Sequence, residues 1–220
     1  MIFAITVLQN ILATHYHSTT AIPLFTIIKI IGIWLGLSLP LVFCGGYAGI
    51  KKEPFEAPVA TSAIPREIPP QPWYVRTLPL ILVGGLVPFG VVFVELYFFL
   101  SSLWMGYGYS LYGFVAVVVI ILIITTCEIS IVLTYSLLCA ENYKWWWVSF
   151  LAPASSGIYA FVFSLYYLVV AFNISNMLVL VEAIGYLLIF STIFSLFTGS
   201  IGFVASFTFV KALFGSVKVD

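Results

Sequence analysis

Charged residues are scarce in this sequence. Only 7% of its 220 residues are charged and 63% are hydrophobic, whereas a soluble domain has about 25% charged and about 45–50% apolar residues. A water-soluble fold of this length could not cover so much apolar surface. The formal net charge is zero, so the basic footprint of a nucleic-acid-binding protein is missing. The composition predicts an integral membrane protein whose first partner is the lipid bilayer, with no nucleic-acid partner.

Residues that carry enzyme chemistry are also few. The histidines, His15 and His17, lie outside the long apolar runs, and no aspartate lies within them. An intramembrane Ser/His pair and an intramembrane aspartyl protease are therefore excluded. There is no P-loop and no dinucleotide fingerprint. Three cysteines without a CxxC spacing predict buried free thiols rather than disulfides or a zinc site. We therefore expect no enzyme, no metal and no cofactor.

Long apolar runs are what the sequence does contain. A membrane-spanning helix needs about 20 mostly apolar residues, and five runs reach that length. The runs are continuous rather than alternating, which favours helices over barrel strands. The predicted fold is an all-α integral membrane protein, a polytopic helical bundle with five full spans plus an N-terminal partial helix in one membrane domain. The spans are predicted at residues 24–49, 78–104, 111–139, 148–172 and 177–210.

Two further segments flank the first span. Residues 1–14 are apolar but too short to cross a bilayer alone. We interpret them as a partial membrane helix whose beginning precedes the sequence, or alternatively as a short interfacial helix. Residues 50–77 contain six prolines, which disfavour helix and favour extended structure. This segment is predicted to be a stiff cytosolic loop along the membrane surface, with a proline-rich ligand for a partner domain as the alternative.

The distribution of basic residues sets the orientation. With five crossings, the loops at 15–23, 105–110 and 173–176 share one side and contain no lysine or arginine. The positive-inside rule makes the opposite side cytosolic, including the C-terminal tail at 211–220. The lumenal sequon at Asn173 adjoins a helix end, which favours an unmodified asparagine. The basic residues of the cytosolic side are Lys51, Lys52, Arg66, Arg76, Lys144, Lys211 and Lys218.

Four ionisable residues fall inside the predicted spans: Lys29, Glu95, Glu128 and Glu182. A charge at the bilayer centre costs about 2.5–3.5 kcal/mol even on insertion scales, so such residues should face the bundle or pair. Lys29, Glu95 and Glu182 all lie in the lumenal half, where the lysine could pair with either carboxylate. The four residues predict either a polar pathway for a proton, ion or lipid headgroup, or interhelical hydrogen bonds that fix packing.

Glu128 differs from the other three because it lies deeper, toward the cytosolic side of its span. Its sequence neighbours include Thr125, Thr126 and Ser130. Their hydroxyl groups are candidate hydrogen-bond donors to the carboxylate.

Several segments together resemble one known family. The second span contains GGLVPFGVVFVELYF, the fourth opens with SFLAPASSGIYAFVFSLYY, and the chain ends in SVKVD. The third span continues into its loop as CEISIVLTYSLLCAENYKWWW. In these segments the sequence resembles the C-terminal portion of the nonaspanin family, also called the transmembrane-9 or endomembrane protein 70 family.

The resemblance implies a location and partners. Nonaspanins have a large lumenal N-terminal domain and nine spans, so this sequence looks like their C-terminal part. They reside in Golgi and endosomal membranes and act in sorting and localising other membrane proteins, their clients. A cytosolic K-x-D/E tail in the family binds the COPI coat, and Lys218 and Asp220 match that motif.

Three functions remain open at this stage. The favoured one is a non-enzymatic trafficking protein whose Glu95 and Glu182 form hydrogen bonds with client spans. The alternative is a transporter or ion and proton pathway that uses the intramembrane carboxylates. In the third, the spans only anchor a lumenal domain.

Overall fold

The computed structural model describes residues 2–15, 21–52, 59, 64, 66–105, 112–172 and 177–216. Within these residues the regular structure is helical, and no strand occurs. Five helical stretches are long and apolar enough to cross a membrane, and a shorter apolar helix precedes them. The predicted all-α polytopic fold is therefore confirmed. The α-helices are α1 (Ile2–His15), α2 (Leu24–Ile50), α3 (Thr77–Met105), α4 (Tyr112–Cys139), α5 (Trp145–Ala154), α6 (Ser156–Phe172) and α7 (Met177–Ser216).

The chain divides into two compact units, Met1–Pro58 and Val59–Asp220. The first unit contains α1 and α2. The Asn10 side chain of α1 forms two hydrogen bonds with the backbone of Ile22, just before α2. Its Oδ1 accepts from Ile22 N at 2.7 Å, and its Nδ2 donates to Ile22 O at 3.3 Å. Pro23 then caps α2 with extended backbone. A single side-chain amide thus links α1 to the residue two positions before α2.

The second unit is a bundle in which α7 packs against α4, α5 and α6, and α3 packs against the same three helices. Its core has two apolar clusters. One contains Leu133 and Leu137 of α4 with Val148 and Ala152 of α5. The other surrounds Ala160 of α6 with leucines of α3 and aromatic residues of α3, α6 and α7. At a rise of about 1.5 Å per residue, α7 is about 60 Å long, which exceeds the hydrocarbon thickness of about 30 Å.

The fourth predicted span, residues 148–172, is not one continuous helix. It begins at Trp145 and breaks at Ser155, which separates α5 from α6. Pro153 lacks an N–H and so removes one ladder hydrogen bond from α5. The Ser155 hydroxyl donates to Ile81 O of α3 at 2.7 Å, and the Ser156 hydroxyl donates to Pro153 O at 2.6 Å. The Ser156 hydroxyl thus bonds to a carbonyl group at the break, and the Ser155 hydroxyl links the break to α3.

The end of the last predicted span also differs. The sequence predicts a span that ends at residue 210 and a tail at 211–220, but α7 continues to Ser216. No proline interrupts this stretch and its first glycine is Gly215, so nothing stops the helix earlier. The first part of the predicted tail is therefore helical.

Glycines bring α3 and α7 close to the broken helix. A Cβ added at Gly84 would lie 2.8 Å from Ala152 Cβ, and one added at Gly202 would lie 2.8 Å from Ser149 O. Gly85 and Gly199 make similarly close approaches to the same stretch of chain. Small residues allow helix backbones to approach closely in lipid, where packing replaces the hydrophobic effect. These four glycines therefore allow α3 and α7 to pack closely against α5 and the start of α6.

The end of the proline-rich segment lies against the end of α4. The Gln71 side chain donates to Ala140 O at 2.9 Å, and Arg66 forms an ion pair with Glu141 at 3.3 Å. A short 3-10 turn, Trp73–Val75, then leads into α3. The stiff connection predicted over residues 50–77 stays a prediction, because residues 53–58, 60–63 and 65 lie outside the described part of the chain.

Candidate functional site: carboxylates within the membrane helices

The four intramembrane ionisable residues are distributed over both units. Lys29 lies on α2 of the first unit, whereas Glu95 on α3, Glu128 on α4 and Glu182 on α7 belong to the second. Lys29 Nζ lies 4.5 Å from the ring centroid of Phe25, one helical turn earlier. A cation over an aromatic face is attracted by the ring quadrupole. Pairing of Lys29 with Glu95 or Glu182 stays a prediction.

Glu95 is buried inside the bundle. Its side chain is 6% exposed, and neither carboxylate oxygen has a hydrogen-bond partner among the described residues. One turn later on the same side of α3, the Phe99 ring stacks on Phe190 of α7 with centroids 6.5 Å apart. Since residues four apart lie on one helix face, Glu95 lies on the side of α3 that faces α7. Burial of a polar group without a hydrogen bond costs free energy, and no described contact of the Glu95 carboxyl group offsets that cost.

Glu128 has the opposite setting, because its side chain is exposed. It stands in the middle of a stripe along α4 whose other members are also exposed: Ile121 at 45%, Ile124 at 51%, Val132 at 56% and Tyr135 at 55%. We call these five residues the α4 stripe. Glu128 lies about 16 Å from the end of α4 at Cys139, for a rise of about 1.5 Å per residue. The carboxylate is therefore a lone polar group on an apolar face, at membrane depth.

The hydroxyl groups near Glu128 do not bind its carboxylate. Thr125 Oγ1 donates to Ile121 O at 3.0 Å, and Ser130 Oγ donates to Thr126 O at 2.7 Å. Thr126 is fully buried, and its Oγ1 has no hydrogen-bond partner in the described structure. Serine and threonine within a helix commonly bond to a carbonyl one turn earlier, and Thr126 and Ser130 lie on the buried face. The sequence-based expectation of donors to Glu128 was wrong for this reason.

The face of α4 opposite the stripe forms a polar seam with α7. Thr134 Oγ1 donates to Ser206 Oγ at 2.9 Å, and Ser206 Oγ donates to Ser130 O at 3.2 Å. Farther along α7, Thr198 Oγ1 donates to Pro153 O of α5 at 3.1 Å. This seam was not predicted from the sequence. The four-residue spacing of Thr126, Ser130 and Thr134 was the available signal.

The three cysteines differ in their exposure. All three cysteines are free, but Cys44 and Cys139 are exposed and Cys127 is half-buried, so the expected burial was wrong for the first two. Lipid accepts an apolar thiol as readily as a protein core does, which is why hydropathy did not separate the exposed cysteines from the half-buried one.

Among the described residues no group of three His, Cys, Asp or Glu side chains could hold a metal ion. Lys218, Asp220 and Asn173 lie outside the described residues.

Comparisons with known proteins support one family. A family model described as endomembrane protein 70 matches residues 1–178. Transmembrane 9 superfamily member 10 of Arabidopsis thaliana is 46% identical over 203 residues, which is 92% of this chain and 32% of that protein. Member 4 of Homo sapiens is 40% identical over 220 residues, which is 100% of this chain and 34% of that protein. The chain thus spans about a third of the length of these relatives. No solved structure matches it significantly.

Proposed function

The chain belongs to the endomembrane protein 70 family, and we propose that it acts in sorting and localising other membrane proteins in Golgi and endosomal membranes. It is a multi-pass transmembrane protein. The proposed role is non-enzymatic, in keeping with the absence of histidine and aspartate from the long apolar runs.

The observation that carries the proposal is the exposed Glu128 in the α4 stripe. A carboxylate that faces lipid at the bilayer centre costs about 2.5–3.5 kcal/mol on insertion scales. Intramembrane polar groups accordingly face other helices and form hydrogen bonds with them. A client span that supplies a hydrogen-bond donor would relieve this cost, and the surrounding Ile124 and Val132 would pack against its apolar residues.

Glu128 replaces Glu95 as the client-facing group in this proposal. A client approaches through the lipid and meets the outside of the bundle first. Glu95 is only 6% exposed, so its carboxylate is not available on that outer surface. The size of the expected effect is modest, because interhelical hydrogen bonds contribute about 0.6 kcal/mol on average and about 1.7 kcal/mol at most.

Capture of reporter proteins tests the proposal. The reporters have a single span that contains either asparagine and glycine or leucine only, and the bait is the protein in detergent-solubilised endomembranes. Glu128→Ala should lower capture of the polar reporter by roughly 3- to 15-fold and leave the leucine reporter unchanged. Ile158→Ala, at a 60% exposed position on α6 outside the stripe, is the control and should retain capture. Equal capture by the wild type and Glu128→Ala would contradict the proposal.

The tail supplies the proposed location. Lys218 and Asp220 match the K-x-D/E pattern that binds the COPI coat in the family. The basic residues of the loops support a cytosolic C-terminus through the positive-inside rule, and only a cytosolic tail is accessible to a coat. We therefore propose that the tail retains the protein in the Golgi while the spans engage clients.

A second function, a proton or ion pathway, is favoured by Glu95. A buried carboxyl group without a hydrogen-bond partner among the described residues is the kind of intramembrane group that marks ion and proton routes. Flux into reconstituted vesicles under a proton or sodium gradient should then fall with Glu95→Gln and persist with the exposed control Glu128→Gln. Flux that is equal in both variants would remove this candidate.

A further inference from the structure

The carboxyl group of Glu128 has no counter-charge on the outer face of α4. Its side chain is exposed, and it forms no hydrogen bond or ion pair with any residue that the structure describes. The other members of the α4 stripe are three aliphatic residues and Tyr135, so the stripe itself supplies no cation. Intramembrane ionisable groups pair with one another where they can. A balancing positive charge would therefore have to come from a partner.

The depth of Glu128 restricts where that partner charge can lie. Glu128 stands about 16 Å from Cys139 along α4, which is about half of the hydrocarbon thickness of about 30 Å. The charged residues Glu141 and Lys144 follow shortly after Cys139, so the membrane surface lies close to this helix end. Glu128 is thus near the bilayer centre. A basic side chain at the same depth cannot reach water, because only residues near helix ends extend their charge to the interface.

The apolar members of the stripe determine how closely a partner helix approaches. Ile124 and Val132 lie one turn on either side of Glu128 and are 51% and 56% exposed. Side chains of this size keep helix axes about 8–10 Å apart, and the stripe has no glycine that would let two backbones touch. Recognition therefore depends on a side chain that reaches across the interface. Lysine and arginine have the long, flexible stems that this requires.

We propose that the α4 stripe binds membrane spans that have a lysine or arginine at their centre. This inference rests on the proposed function and names the class of client. The client's cation donates to the Glu128 carboxylate, while Ile124 and Val132 pack against apolar residues one turn away. A central basic residue lacks its own carboxylate partner as long as its complex is incomplete. The stripe therefore selects unassembled subunits of membrane complexes.

Electrostatics disfavours the other occupants of the stripe. In a symmetric dimer the same face of each copy meets the other, so two Glu128 carboxylates would lie opposite each other and repel. A client span with a central aspartate or glutamate meets the same repulsion. Asparagine donates a hydrogen bond but has no charge, and hydrogen bonds between two charged groups are about twice as strong.

Capture of four single-span reporters by the protein in detergent-solubilised endomembranes tests the proposal. The spans are leucine with a central lysine, a lysine one turn from an end, a central asparagine or a central glutamate. The wild type should capture the central-lysine reporter about tenfold better than the central-asparagine reporter. The end-lysine and central-glutamate reporters should be captured no better than a span of leucine only.

Variants of Glu128 separate the charge from the hydrogen bond. Glu128→Gln keeps an acceptor oxygen but removes the charge, so the tenfold preference for lysine should disappear while capture of the asparagine reporter persists. Glu128→Lys should exchange the central-lysine reporter for the central-glutamate reporter. Ile158→Ala, at a 60% exposed position on α6, is the control and should keep the preference of the wild type.

The failures of this proposal and of the proposed function are distinguishable. Glu128-dependent capture of the asparagine reporter without a preference for central lysine would overturn this proposal and leave the proposed function standing. Capture of every reporter that is independent of Glu128 would overturn both. Equal capture of central and end lysine would overturn the role of depth, and with it the proposal. A Glu128-dependent dimer that excludes the central-lysine reporter would likewise overturn it.

Discussion

Thr134 Oγ1 of α4 donates a 2.9 Å hydrogen bond to Ser206 Oγ of α7, and both side chains are almost completely buried. In the same seam Ser206 Oγ donates a hydrogen bond to Ser130 O. In lipid, helices associate through packing and through interhelical hydrogen bonds of this kind, because the hydrophobic effect that drives association in water is missing there. The seam therefore leaves the opposite side of α4, with Glu128, free for another helix.

The seam should contribute measurably to stability. Ser206→Ala removes the acceptor of Thr134 and the donor to Ser130 O, so we expect the free energy of unfolding to fall by about 0.6–1.7 kcal/mol. Thr208→Ala is the control, because Thr208 is exposed and its hydroxyl bonds only to Val204 O of its own helix at 2.8 Å. Steric-trapping measurements of unfolding in bilayers give both values. Equal losses in the two variants would contradict the role of the seam.

Two glycines of α3 should respond oppositely to alanine. A Cβ at Gly85 would lie 2.7 Å from Ser156 N and 2.9 Å from Ala152 O, whereas Gly90 has no neighbour within 4 Å of such a Cβ. Gly85→Ala should destabilise the bundle by about 1–3 kcal/mol through overpacking. Gly90→Ala should be neutral or stabilise the helix by up to about 1 kcal/mol. Thermal unfolding in detergent distinguishes the two, and similar midpoints would contradict the close approach at Gly85.

Membrane orientation is tested by cysteine accessibility. In a background without the three native cysteines, a cysteine at Lys52 or Lys144 should react with an impermeant thiol reagent only from the cytosolic side. The positive-inside rule gives this orientation, and a cysteine in the basic-residue-free loop at 105–110 should react only from the lumen. Lumenal labelling at Lys52 or Lys144 would reverse the topology and remove the tail from the cytosol.

The tail motif predicts a change of location. Under the proposed Golgi retention, replacement of both Lys218 and Asp220 by alanine should move the protein out of the Golgi, because the coat would lose the two charged groups of the proposed signal. Ser216→Ala, two residues before Lys218, serves as the control. Fluorescence microscopy of the tagged protein, with the tag away from the C-terminus, measures the redistribution. An unchanged Golgi location would refute the signal.

The spans were predictable because long apolar runs leave few alternatives to membrane helices. The break at Ser155 was not. Pro40 and Pro88 lie inside α2 and α3 without ending them, so proline alone does not identify a break. What distinguishes Pro153 is the set of hydroxyl contacts from Ser155 and Ser156 to carbonyl groups, and those partners are known only once the helices are packed.

The identity of the candidate residues was predictable, but their setting was not. Hydropathy located Glu95 and Glu128 inside the membrane, since any carboxylate in an apolar run stands out. Hydropathy could not show that Glu95 is buried and Glu128 is exposed, because the lipid-facing and core-facing sides of a membrane helix are equally apolar. The packing of α4 against α3, α5 and α7 separates its two faces, and the packing of α3 against α4, α5 and α6 does so for α3.

Site-specific photo-crosslinking from the α4 stripe tests the central claim most directly. A photoreactive residue replaces Ile124, one turn before Glu128, and in a separate variant it replaces Ile158, which is 60% exposed on α6. Ile124 should trap the reporter with the polar span, the yield should fall when Glu128 is changed to alanine, and Ile158 should trap neither reporter. Crosslinks from Ile124 that form only within the same protein, or that persist unchanged in the Glu128→Ala background, would contradict client recognition by this face.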